Sequence, residues 1–152
     1  MKQTVIPGTP LRVSAVCLGT AKFGGAVSES DAFRLLDAFC DGGGRMIDTA
    51  NVYGRAVDGT NLGERIIGRW LRRGGHDGVT VATKGGHFDG KAPSVSRVTR
   101  EAVFADVEES LQTLGVPAID LYWLHRDNEQ RPAGEIIEFC EELVRAGKIR
   151  CY

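Results

Sequence analysis

The sequence has little cysteine and no cysteine pair spaced for metal binding. Its four cysteines lie far apart in the chain, and no C-x-x-C pair occurs: they are Cys17, Cys40, Cys140 and Cys151. Zinc sites use Cys and His ligands at closer spacing, so these cysteines and the three histidines predict no metal site. Three of the cysteines lie in apolar patterns, where a buried, reduced thiol is the simplest interpretation.

Long apolar runs and an excess of either charge are also missing. No run approaches the roughly 20 residues that span a bilayer, and the N-terminal segment lacks the apolar region of a signal peptide. With 19 basic and 20 acidic residues, the formal net charge is -1. This balance nominates neither nucleic acid nor an anionic membrane as a partner. We therefore expect a cytoplasmic protein that binds neither.

Four short apolar runs have the β-branched or aromatic character of strands. They are Val16–Leu18, Met46–Ile47, Val79–Ala82 and Asp120–Leu124. A helical pattern follows each run, and residues 148–152 indicate the start of a fifth strand. Residues 2–13, on either side of Pro7 and Gly8, predict a small hairpin. At 42% hydrophobic and 26% charged residues, the composition is that of a folded domain.

Each predicted helix has one apolar face. Ser28 with Asp31 resembles a capping box at the start of the first helix, and Gly42–Gly44 end it. Apolar residues at helical spacing mark the four faces: Phe33, Leu36 and Cys40; Leu62, Ile66 and Trp70; Val103, Val107, Leu111 and Leu114; Ile136, Cys140 and Leu143. Alternation of strand and helix predicts an α/β protein with a parallel sheet and helices packed outside it.

Two parallel architectures are compatible with this order: an open doubly wound sheet, or part of a (β/α)8 barrel. The doubly wound dinucleotide fold favours G-x-G-x-x-G after the first strand. The stretch from Leu18 to Gly24 does not match that pattern. Periodicity alone does not choose between the two.

Ionisable residues stand at the ends of three successive predicted strands. Asp48 ends the second strand, Lys84 the third and His125 the fourth, and Tyr53 follows Asp48 by five residues. Because the carboxyl ends of parallel strands form one functional face, we expect these four side chains to converge.

This set of residues suits the protonation of a carbonyl group that receives a hydride. A tyrosine hydroxyl alone is a poor proton donor at neutral pH, but a neighbouring ammonium stabilises its phenolate. Asp48 would keep a buried Lys84 charged, and His125 would donate to the carbonyl oxygen or relay its proton.

Several motifs around these residues are similar to the signature of the aldo-keto reductases. They are Ile47-Asp48-Thr49-Ala50-x-x-Tyr53-Gly54 with Leu62-Gly63-Glu64, Val81-Ala82-Thr83-Lys84, Asp120-Leu121-Tyr122-Trp123-Leu124-His125, and Gly147-Lys148-Ile149-Arg150. The resemblance implies a (β/α)8 barrel that reduces aldehydes and ketones with NADPH, less often NADH. It also implies a catalytic tetrad of Asp48, Tyr53, Lys84 and His125, in which Tyr53 is the general acid-base. The cofactor contacts that it implies within this chain are Gly19, Thr20, Ala21 and Asp48. Arg126-Asp127-Asn128 departs from the family, where many members carry a nearby proline.

The length predicts an incomplete barrel. A (β/α)8 barrel takes roughly 250 residues, so we expect residues 1–152 to be a single N-terminal half-barrel, with four strand–helix units, the hairpin and the start of strand five. Such a fragment is expected to be inactive without its missing half. The alternative is a non-catalytic half-barrel that self-associates through open sheet edges as a binding or scaffold module.

Two other motifs fail on inspection. Gly85-x-x-x-x-Gly90-Lys91 resembles a phosphate-binding P-loop, but Ala92 stands where a Ser or Thr must bind magnesium. The kinase-like residues around Lys84 and His125 lack the glycine-rich loop. His76 and His87 are assigned to surface loops with no further role.

Overall fold

An antiparallel hairpin opens the chain in the computed structural model, which describes residues 1–74 and 78–152. Strand β1 (Gln3–Val5) pairs with β2 (Arg12–Ser14), which confirms the predicted hairpin. Buried Leu11 and Val13 pack with Ala82, Leu121 and Cys151 of the main sheet. The hairpin is therefore anchored by its apolar side chains.

Five parallel strands form the main sheet in the order of the sequence. They are β3 (Leu18–Gly19), β4 (Met46–Asp48), β5 (Thr80–Gly85), β6 (Ile119–Leu124) and β7 (Ile149–Cys151). Each strand pairs in parallel with the next one along the chain. A doubly wound sheet would reverse its strand order at a switch point, and no reversal occurs among the described strands. The fold is α/β, with the architecture of part of a (β/α)8 barrel.

The helices follow the predicted apolar faces, with one addition. They are α1 (Glu29–Asp41), α2 (Arg55–Asp58), α3 (Leu62–Arg72), α4 (Arg100–Leu114) and α5 (Ala133–Arg145). Ser28 caps α1 by accepting a hydrogen bond from the Asp31 amide, as the capping box predicts. Helix α2 has no counterpart in the prediction.

All four predicted strands differ from the observed bounds, the second and fourth by a single residue at one end. The first lies at Leu18–Gly19 instead of Val16–Leu18, because Val16 and Cys17 are exposed and take no part in the sheet. The third strand continues past Ala82 to Gly85, so Lys84 is the penultimate residue of the strand and does not follow it. Its position at the carboxyl end of the strand is unchanged.

The core lies between the sheet and its helices in two clusters. The first includes Leu36 of α1, Ile47 of β4 and Trp70 of α3, all fully buried. The second gathers α4, α5 and the last two strands: Val103, Val107, Ile119, Tyr122, Phe139, Leu143 and Ile149. Helices α3 and α4 approach closely at Gly68, where an added Cβ would lie 2.4 Å from the Thr113 carbonyl oxygen.

None of the helices in the described ranges has the length and apolar character needed to cross a lipid bilayer. Over the same residues, no three His, Cys, Asp or Glu side chains are grouped to hold a metal ion.

Candidate active site

The strand ends bring three of the predicted site residues to one edge of the sheet. Asp48 is paired in register with Ala82, two residues before Lys84. Lys84 is in turn paired with Trp123, two residues before His125, whose amide donates to the Gly85 carbonyl at 2.8 Å. Parallel pairing therefore aligns all three side chains.

The Lys84 ammonium is the centre of the cluster. Its Nζ lies 2.6 Å from Asp48 Oδ2, 2.6 Å from the Thr49 carbonyl oxygen and 3.5 Å from Tyr53 Oη. An ammonium has three donors, so each has an oxygen partner. The Lys84 side chain is 18% exposed and that of Asp48 is 27% exposed. Both charges are thus partly shielded from water, which strengthens their attraction.

Tyr53 is held by its backbone in the loop after β4. Its amide donates to the Ala50 carbonyl at 3.0 Å, and its carbonyl accepts from the Gly63 amide at 3.0 Å. Gly54 follows with φ of 88°, and a Cβ there would lie 2.6 Å from Cβ of Leu62. Only glycine suits that combination. The start of α3 therefore fixes the place of the phenol ring.

The rings of His125 and Tyr53 are in contact and nearly perpendicular. The two ring centroids are 5.8 Å apart and the planes meet at 86°. Burial, together with the smaller effects of His87, Lys84 and Arg126, lowers the pKa of His125 to about 4, and Asp48 opposes this shift less strongly. The imidazole is therefore neutral at neutral pH.

His87 is a neighbour of this cluster that the sequence reasoning placed in a surface loop. Its ring is half-buried and its centroid lies 4.7 Å from that of His125, at an interplanar angle of 72°. His87 does lie in a loop, as predicted, but the loop after β5 turns back over the site and brings this ring against His125. His76 lies outside the described residues.

The predicted cofactor residues separate into two groups. Gly19 and Asp48 line a shallow cavity of about 430 Å³, together with Cys17, Met46, Lys84 and Trp123. A Cβ added at Gly19 would meet nothing within 4 Å, and Ala21 is exposed. Thr20 is fully buried, and its amide and hydroxyl donate to the Asp48 carbonyl at 3.0 and 2.9 Å. Thr20 thus holds the backbone of Asp48.

A second cavity, of about 780 Å³, lies between the loops that follow β4 and β5. Lys84 and His87 line it, and Asn51, Arg55, Phe88 and Arg97 contribute to its walls. Its volume is in the range of small-molecule sites. The cluster therefore adjoins two cavities.

A buried carboxyl group lies behind the cluster. Glu64 of α3 is fully buried, accepts from Thr83 Oγ1 at 2.5 Å and from Asn61 Nδ2 at 2.8 Å. Burial raises its pKa to about 7, although these hydrogen bonds oppose the rise. The sequence motif contains Glu64, but nothing in the motif indicates this burial.

Comparison with known proteins supports the resemblance seen in the sequence. The family model described as "Aldo/keto reductase family" matches residues 15–152. The chain is 38% identical over 160 residues to the "Uncharacterized oxidoreductase YrpG" of Bacillus subtilis, covering 98% of this chain and 47% of that protein. It is 31% identical over 161 residues to the "Aryl-alcohol dehydrogenase [NADP(+)]" of Phanerodontia chrysosporium, covering 94% and 40%.

A solved structure shares the fold. The holo form of the aldo-keto reductase AKR11C1 from Bacillus halodurans superposes with a TM-score of 0.83 at 30% identity, over 99% of this chain and 48% of that one. The chain thus spans about half the length of the proteins it matches.

Proposed function

The chain belongs to the aldo/keto reductase family, and on that premise we propose that its site protonates the carbonyl oxygen of an aldehyde or ketone during NADPH-dependent reduction to an alcohol. Asp48, Tyr53, Lys84 and His125 carry this chemistry. The observation on which the proposal depends is the position of the Lys84 ammonium between the Asp48 carboxylate and the Tyr53 hydroxyl.

Tyr53 is the general acid in this proposal. Its hydroxyl gives a proton to the substrate oxygen as negative charge develops there, and the Lys84 ammonium stabilises the phenolate that remains. Asp48 keeps Lys84 charged and aimed at Tyr53, since an unpaired, shielded ammonium tends to lose its proton. Neutral His125 donates an N–H to the same substrate oxygen and so orients the carbonyl group.

The residues of the shallow cavity fit a nicotinamide cofactor. Gly19 leaves its backbone open to a flat ring, and Asp48 and Lys84 border the same space. The reduced nicotinamide, when bound, supplies the hydride that Tyr53 complements with a proton. The cofactor named for one relative, NADP(+), supports NADPH, and NADH is the alternative. Cofactor binding by Gly19, Thr20, Ala21 and Asp48 and the cytoplasmic location stay predictions.

The test compares two matched tyrosine variants. Because the chain spans about half the length of its relatives, NADPH oxidation with a panel of aldehydes is measured for the chain alone and for the chain mixed with the C-terminal half of a related reductase. We expect turnover only in the mixture. There, Tyr53→Phe should lower kcat by about 10²-fold or more and leave cofactor binding unchanged.

Tyr122→Phe is the control for this experiment. Tyr122 is fully buried on the helix side of the sheet, and its hydroxyl has no hydrogen-bond partner in the described part of the chain. Its loss should leave kcat near the wild-type value. Unchanged turnover in Tyr53→Phe would remove that residue from its role. Robust reduction by the 152-residue chain alone would contradict the expected need for a second half.

A second candidate function is a self-associating binding or scaffold module. The observation that favours it is that β3 and β7, the two outer strands, each pair with a single strand in the described sheet, and such edges accept further strands. Sedimentation over a range of concentrations tests it. Concentration-dependent oligomers would support this function, and a monomer that unfolds cooperatively would argue against it.

A further inference from the structure

His125 is surrounded by ionisable side chains from every segment that faces it. They come from β4 and the loop after it, from β5 and its loop, and from the loop after β6: Asp48, Tyr53, Lys84, His87 and Arg126. Of these, only Asp48 favours a positive charge on the ring. The surroundings therefore favour an uncharged imidazole.

The His87 ring has a single tautomer that fits its partners. Its Nδ1 lies 3.0 Å from the Phe88 carbonyl oxygen, and its Nε2 lies 3.3 Å from Nη2 of Arg126. A carbonyl only accepts and a guanidinium only donates. The hydrogen is therefore on Nδ1, and Nε2 presents a lone pair to Arg126.

Phe88 packs on the same ring and is itself covered by Arg126. The Phe88 ring lies 4.2 Å from the His87 ring, centroid to centroid. Arg126 in turn lies over the Phe88 ring at 5.1 Å from its centroid, a favourable cation–π geometry. His87, Phe88 and Arg126 thus form one packed unit, and its His87 ring lies against the ring of His125.

His125 itself has one nitrogen with nothing to donate to. Its Nδ1 is buried and has no hydrogen-bond partner among residues 1–74 and 78–152. A hydrogen there would be a buried donor without an acceptor, which is unfavourable. The neutral tautomer with its hydrogen on Nε2 avoids that, and a protonated ring does not.

We infer that His87 is a positioning residue for His125: locked by Phe88 and Arg126, it holds the neighbouring ring as the neutral, Nε2-protonated imidazole facing Tyr53. The inference rests on the proposed function for its consequence, because that tautomer is the one that donates to a carbonyl oxygen. The arrangement of the rings does not depend on that function, because it follows from the ring contacts alone. The two parts are tested separately.

The first test examines the rings in the wild-type chain, where no turnover is needed. Ring carbon and nitrogen NMR shifts report the tautomer and titration of each histidine, with assignments from His→Gln variants. We expect the His87 hydrogen on Nδ1, magnetisation transfer between the rings of His87 and His125, and a His125 ring that stays neutral below the ordinary histidine range. The opposite His87 tautomer, or no transfer between the rings, would overturn the inference.

Two substitutions then test the electrostatic coupling. His87→Phe keeps a ring against His125 and removes both nitrogens, whereas His87→Asn keeps an amide donor for the Phe88 carbonyl. In both, His125 should bind its proton about threefold to tenfold more tightly, because His87, which opposes a positive charge on the neighbouring ring, is absent. Lys91→Gln, which removes an exposed cation of the same loop, is the control and should leave that titration unchanged.

Either variant decides the question if its spectrum elsewhere matches the wild type. An unchanged His125 titration in the folded variant would overturn the inference. In a completed barrel, the acid limb of kcat/KM should move to higher pH in both variants, because a more basic His125 is lost as a neutral donor at higher pH. A barrel without any carbonyl reduction would refute the proposed function and leave the NMR result intact.

Discussion

Glu64→Gln should make the stability of the chain less dependent on pH. In the folded chain, burial raises the pKa of Glu64 to about 7 from its ordinary 4.5, while in the unfolded chain the ordinary value applies. Each pKa unit corresponds to about 1.36 kcal/mol, so the difference amounts to about 3 kcal/mol.

The sign follows from which state loses its proton first. Below pH 4.5 the carboxyl group is protonated in both states, and its contribution to folding is fully present. As the pH rises towards 7, the unfolded state ionises before the folded state, so stability is lost. Glutamine does not ionise, and it keeps an oxygen and an amide for Asn61 and Thr83. We expect the variant to gain about 3 kcal/mol relative to the wild type between pH 4.5 and pH 8.

Urea denaturation followed by circular dichroism, at several pH values, measures this difference. Subtracting wild type from variant at each pH cancels the other titrating groups. Glu138→Gln, an exposed position on α5, is the matched control and should show a flat difference. If the difference in free energy of unfolding between Glu64→Gln and wild type is also independent of pH, the raised pKa of buried Glu64 is refuted.

Two further predictions concern packing. Gly68→Ala should lower the free energy of unfolding by about 1–3 kcal/mol, because its Cβ would lie 2.4 Å from the Thr113 carbonyl oxygen. Gly134→Ala, where a Cβ meets nothing within 4 Å, should raise the free energy of unfolding by up to about 1 kcal/mol. Urea denaturation measures both changes, and a larger loss of stability in Gly134→Ala than in Gly68→Ala would contradict both predictions. Leu36→Ala should cost about 2–5 kcal/mol, since Leu36 is fully buried, and a melting temperature equal to that of the wild type would rule this out.

Helix faces and strand order were predictable because they depend on local spacing. The apolar stripe of α4 faces the core as predicted: Val103, Val107 and Leu114 are buried and Leu111 is partly buried. The first strand was placed too early because apolar letters do not report exposure, and Val16 and Cys17 are exposed. Helix α2 has only four residues, so no periodic face could indicate it.

The convergence of Asp48, Lys84 and His125 was predictable from their positions at strand ends, although their catalytic roles stay predictions. The position of His87 was not, because it depends on a distant contact. Gly86, before it, has φ of 73°, and its amide donates to Asp106 Oδ2 on α4 at 2.8 Å. That hydrogen bond joins residues 20 positions apart, and no local pattern in the loop reveals it.

The assembly of the site from separate strand ends has a consequence for folding kinetics. Asp48, Lys84 and His125 become neighbours only after β4, β5 and β6 have paired, and each pairing closes a loop that contains a whole helix. Contacts between residues distant in sequence form late and slow the search for the native state. A partly folded chain in which only the β1–β2 hairpin or a single strand–helix unit has formed therefore lacks the contact between the Lys84 ammonium and the Tyr53 hydroxyl. Appearance of that contact during refolding would mark the completion of the sheet.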